Sequence, residues 1–156
     1  MKFESLGAEE KKMIKHVEKN NIFVLETKSF HYVLGIDGEG FNRHIHWGEK
    51  CDVNDYEFEE VHGISSNDPA LNGIKQEITP FGSTMYRECD IKARFEDGCR
   101  EIFLVYKGFE QNGDTLKLHF EDEYYPLGVT LCYEVFEEYD IIKRYVTLTN
   151  TGSDDI

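Results

Sequence analysis

The segment His44-Ile45-His46-Trp47 comes nearest to a chemical motif in this sequence. On a strand, residues i and i+2 share a face, so imidazoles at 44 and 46 have the spacing of two zinc ligands. A catalytic zinc needs a third ligand and an open position. His62 lies among acidic residues and His119 in Leu-Lys-Leu-His-Phe, neither in a comparable setting. The pair therefore reads as strand histidines, and no metal is assigned. Asp52, Asp55, Glu57, Glu59 and Glu60 offer the oxygens that calcium takes, but without the spacing of a calcium loop. No Gly-x-Ser-x-Gly elbow is present. With 31 acidic residues, finding two carboxylates close together says nothing about glycosidic chemistry. Cys51, Cys89, Cys99 and Cys132 form no Cys-x-x-Cys pair and read as free thiols in a reducing compartment. No cofactor is expected.

The elements that must position these residues are mostly strands. Residues 5–19 read as a helix, capped by Ser5 and carrying Leu6, Met13, Ile14 and Val17 on one stripe. From Ile22 the apolar period becomes two. Phe30, Tyr32, Leu34 and Ile36, the turn Asp37-Gly38-Glu39-Gly40, and the alternation from Phe41 to Trp47 predict a hairpin over 29–47. Trp47 reads as a core residue. Strands follow at 86–95, 100–109, around Leu116–Phe120, at 128–136 and at 141–150, with turns at Asp97-Gly98 and Asn112-Gly113. Regular strand spacing without alternating helices predicts an all-β antiparallel sandwich with one N-terminal helix, not a parallel α/β sheet. The stretch 48–85 has little periodicity. Such a length is unusual in a compact domain unless it binds or assembles, which makes it the strongest functional suspect by pattern.

One domain's worth of chain is present: 156 residues, 40% apolar and 13% aromatic, enough to build a core. The net charge of −14 repels phosphate backbones and anionic membranes, so neither nucleic acid nor a membrane is an expected partner. No run of 18 apolar residues occurs, and the first twelve residues lack the apolar core of a signal peptide. A cytoplasmic location is the expectation. The strongly patterned strand before Thr149-Asn150-Thr151-Gly152 predicts that this is the front part of a longer sandwich. Unpaired strand edges would then favour association into homo-oligomers.

The run from Gly128 to Gly152, above all Phe136-Glu137-Glu138-Tyr139-Asp140-Ile141-Ile142-Lys143-Arg144, resembles a segment of the large bacterial α-galactosidases of glycoside hydrolase family 36. Phe30–Leu34 with Ile45-His46-Trp47-Gly48 is similar to that family's opening hairpin. Gln76-Glu77-Ile78-Thr79-Pro80-Phe81-Gly82 and Tyr86-Arg87-Glu88 are similar to its following loop. The resemblance spans about residues 22–154 and leaves 1–21 as an N-terminal helical extension, with 22–156 as the front of a galactose-mutarotase-like supersandwich. It implies a barrel further along the chain that carries the two catalytic carboxylates of a retaining glycosidase. Neither has a counterpart here, so the chain alone is expected to be inactive. It also implies that α-galactosides are met through the parent enzyme, and that the loop approaches a neighbouring subunit's pocket. There Phe81 would offer an apolar platform to a sugar ring, and Arg87 would donate bidentate hydrogen bonds. The other reading is a stand-alone carbohydrate-binding sandwich, motivated by the aromatic content.

Overall fold

The computed structural model describes residues 12–59, 75–82 and 88–156. Two four-stranded antiparallel sheets are present. The first has the order β1 (Ile14–Val17), β2 (Ile22–Glu26), β3 (Phe30–Ile36), β4 (Asn42–Glu49). The second has the order β5 (Leu104–Asn112), β6 (Thr115–Asp122), β7 (Leu127–Phe136), β8 (Ile141–Asn150). Each sheet is a meander of neighbouring hairpins, as the period-two sequence pattern requires.

The sheets pack face to face because alternate side chains on each are apolar. Phe23, Leu25, Leu34 and Ile36 of the first sheet share one buried cluster with Leu116, Leu118 and Phe120 of β6 and Val129, Leu131, Tyr133 and Val135 of β7. Strand β2 is buried on both faces. Its Ile22 and Val24, with Val33 of β3, form a second cluster under Tyr56, Val53 and Phe58. Gly35 permits that cover: a Cβ there would lie 2.9 Å from the Phe58 ring. By contrast, β8 is exposed along most of its length.

Two sequence expectations are corrected. The helix expected over 5–19 is not formed in its described part. Residues Ile14–Val17 are a strand paired with Ile22–Leu25, followed by a 3-10 turn at Glu18–Asn20; residues 1–11 lie outside the described residues. The few apolar positions at 13, 14 and 17 fit a helix stripe and a strand edge equally well. Burial of Met13 and Ile14 in the inter-sheet core decides for the strand. Asn21, expected to end a helix, instead adopts φ 51 and closes the β1–β2 connection. Asp140, φ 53, closes the β7–β8 connection in the same way. Asn and Asp tolerate this left-handed conformation better than other side-chain-bearing residues.

The strand expected at 86–95 is also absent over its described part, 88–95, apart from a single bridge between Ile91 and Pro80. Ile91 and Phe95 still enter the core. The Asp97-Gly98 turn forms as expected, with Gly98 at φ 85 and its N–H donating to Phe95 O at 2.8 Å. Among the described residues, no helix is long and apolar enough to cross a membrane.

Candidate functional site

Residues 75–82, the described end of the suspect stretch, cross the seam between the sheets and are fixed there by backbone and side-chain bonds. Gln76 bridges to Arg43 of β4, and Lys75 O accepts from the His44 N–H at 2.7 Å. Glu77 N–H donates to Asn42 O at 3.1 Å, and Ile78 N–H to Asn42 Oδ1 at 2.8 Å. Asp90 Oδ2 accepts from the Thr79 N–H at 2.9 Å.

Glu77 is the centre of this arrangement. Its carboxylate is buried and gathers partners from both sheets. Tyr32 OH of β3 lies 2.9 Å from each oxygen, and His44 Nδ1 of β4 is 2.8 Å from Oε1. Tyr133 OH of β7 donates to Oε2, Arg144 Nε of β8 lies 3.5 Å away, and Arg144 Nη2 donates to the Glu77 carbonyl. Burial by itself would raise the Glu77 pKa. Hydrogen bonds from His44, Tyr133 and Tyr32, with the Arg144 charge, outweigh it and hold the carboxyl below its ordinary range. Burial, and then the same carboxylate, push both tyrosine hydroxyls up. The group is therefore a charged, hydrogen-bonded bolt between layers.

Phe81 sits at the outer end of this segment, half-buried. Its N–H donates to Ile91 O at 3.0 Å, and its carbonyl accepts from Ile102 N–H at 2.9 Å. The Arg100 guanidinium lies 4.9 Å from the ring centroid, covering one face. Gly82 follows at φ 87, where a Cβ would come within 2.9 Å of Glu101. Arg87 lies outside the described residues, so its position relative to Phe81 is not defined.

His44 and His46 part company. The β3–β4 register shifts between Val33 and Leu34, which pair with His46 and His44 respectively, leaving Ile45 as the extra residue of a bulge. His44 turns to the seam and Glu77. His46 turns to the outer face, 5.3 Å from the Tyr56 ring, with Nε2 3.0 Å from Glu49 O. The bulge removes the shared face that coordination by this pair requires. Among the described residues, no group of three His, Cys, Asp or Glu is placed to hold a metal.

Trp47, expected in the core, is 70% exposed. It stands beside Phe30 and Tyr32 at a cleft of about 290 Å³ whose other wall is β8. The sequence reasoning missed the Glu77 cluster, although Glu77 itself stood in a recognised motif. Its partners at 32, 44, 133 and 144 are distant along the chain, and none is unusual by type.

The family described as the Glycosyl hydrolase family 36 N-terminal domain matches residues 40–156. Among curated proteins, the chain is similar to the bifunctional alpha-galactosidase/sucrose kinase AgaSK of Mediterraneibacter gnavus. The two are 29% identical over 163 residues, covering 86% of this chain and 17% of that protein. It is also similar to alpha-galactosidase AgaA of Geobacillus stearothermophilus, 26% identical, with 83% of this chain and 22% of that protein covered. The chain thus spans less than a quarter of either relative's length. Among solved structures, the galactosidase domain of AgaSK superposes with a TM-score of 0.76 at 25% identity, covering 90% of this chain and 24% of that one. The alpha-galactosidase AgaB of Geobacillus stearothermophilus gives 0.75 at 22% identity, covering 90% and 23%, a likeness of fold.

Proposed function

The chain belongs to the N-terminal domain family of glycosyl hydrolase family 36, and from that premise we propose that it is the non-catalytic front module of a retaining α-galactosidase, working in the cytoplasm. The observation that carries this reading is the family match across residues 40–156, which takes in strands β4 to β8 and the seam segment 75–82. The two-carboxylate chemistry of such an enzyme needs an acid/base and a nucleophile flanking the glycosidic bond. No such pair is assigned in this module.

The module's part is to assemble and to shape a neighbouring subunit's pocket. Support comes from β8, whose Ile141, Tyr145, Val146 and Leu148 are exposed on an edge strand, a surface that favours association. Support also comes from the bolted segment 75–82, which holds Phe81 at the surface without freedom to swing. Purified chain mixed with an aryl α-galactoside is expected to release no phenol above the uncatalysed rate, and to show concentration-dependent association by light scattering. Measured turnover overturns the non-catalytic assignment, and a monodisperse monomer overturns the assembly role. In an α-galactosidase assembled with this module, Phe81→Ala and Arg87→Ala should each raise KM several-fold with kcat nearly unchanged, the mark of lost binding and not lost chemistry.

A further inference from the structure

We propose that the cleft between β3–β4 and β8 is a binding site for a neutral pyranoside, with Trp47 as its stacking platform. The indole is 70% exposed, although Trp47 sits opposite Tyr32 on the inward face of β4. Phe30 and Tyr32 stand 6.3 and 6.0 Å from it, tilted 55° and 62°. The three rings form an apolar corner and not a flat patch. Ile141, 53% exposed, lies on the opposite wall. The cleft, about 290 Å³, is small for a drug-sized ligand or a peptide but suits a single sugar ring.

The polar groups of the cleft fit hydroxyls better than ions. Arg144 is 38% exposed and spends part of its donor fork on Glu77; a guanidinium has five N–H donors in all. Asp140 is fixed by the Ser29 N–H at 2.8 Å, which occupies one oxygen of a group with about four acceptor sites. The cleft thus offers one anchored donor and one anchored acceptor beside an aromatic face. A pyranoside presents an apolar C–H face with hydroxyls around its rim. An anion would meet Asp140 and a chain of net charge −14. A cation would find one carboxylate, already hydrogen-bonded by the Ser29 N–H and beside the Lys28 charge. This binding requires no barrel and no neighbouring subunit, so it stands apart from the loop that carries Phe81.

Trp47 is the chain's single tryptophan, so indole fluorescence reports this cleft alone. Titration of the chain with methyl α-galactoside, melibiose and, as controls, inositol and sodium sulfate should give a saturable blue shift with the pyranosides only, at a Kd of millimolar order. Ile141→Asp, on the exposed wall, should weaken that binding at least tenfold while the circular dichroism spectrum stays unchanged. In calorimetry, Trp47→Ala should abolish the binding heat and Phe81→Ala should leave it intact. No saturable shift at sugar concentrations about a hundredfold above a millimolar Kd overturns the site. So does a blue shift that follows protein concentration without sugar, which would assign the face to a second copy.

Discussion

Glu77→Ala should lower the unfolding free energy by about 3–5 kcal/mol, read as a drop in urea midpoint. The size follows from what is left behind. Tyr32, His44, Tyr133 and Arg144 converge on one buried carboxylate from four strands in two sheets. Removing one member of a buried charged cluster costs more than the cluster contributes net, because the remaining groups stay desolvated without partners. Glu77→Gln keeps an acceptor oxygen and loses the charge, so its cost should be smaller, about 1–3 kcal/mol. A loss below about 1 kcal/mol for Glu77→Ala would mean that water takes over the vacated positions.

The same carboxylate sets a pH dependence. Its pKa in the folded chain lies below the ordinary 4.5. The unfolded chain therefore binds the proton more readily, and stability rises with pH through this window. The contribution is fully present above pH 4.5 and is lost as pH falls through the lower, folded value. Glu26, held down to about 2 against the cost of burial by Lys15 and Lys50, adds a dependence of the same sign. Denaturation midpoints from pH 7 to pH 3 should fall for the wild type. They should fall less for Glu77→Gln, which keeps the Glu26 part.

Phe23→Ala should cost a further large amount, about 3–5 kcal/mol, the range for truncating a fully buried phenylalanine. Phe23 of β2 is 0% exposed. It stacks on His16 of β1 at 4.5 Å and 11°, and meets Phe109 of β5 edge-on at 4.9 Å. The ring is thus held by its own sheet and by the opposing one, and no single neighbour can collapse into the space. Thermal and urea unfolding at pH 7 check this. A cost near 1 kcal/mol would indicate that His16 and Phe109 close the gap.

The strands that alternate without interruption were legible from residues alone. Leu116, Leu118 and Phe120 face one way, as do Val129, Leu131, Tyr133 and Val135, and both sets are buried. The Phe30–Ile36 hairpin strand follows the same logic. Met13, Ile14 and Val17 misled because three apolar positions cannot separate a period of 3.6 from a period of 2. The strand expected at 86–95 failed for a different reason. Ile91 and Phe95 are buried, but the segment is held by a single bridge and a turn and not by a ladder. The Glu77 cluster was illegible because its partners lie 33–67 residues away and meet only when two sheets close. Trp47 was misplaced because residue type favours burial, while exposure depends on what stands opposite.

The extra residue at Ile45 has a reach beyond the two histidines. In a regular strand, positions 44 and 47 would point to opposite sides; the irregularity reverses parity, so His44 and Trp47 both flank Tyr32. The phase of the pleat is reset once, halfway along β4. Deleting Ile45 alone would make the strand regular and keep the indole on the seam side, because Trp47 would then follow His44 by two residues and still stand opposite Tyr32. Here the address of a functional side chain is written as a count, odd or even, and not as a choice of amino acid.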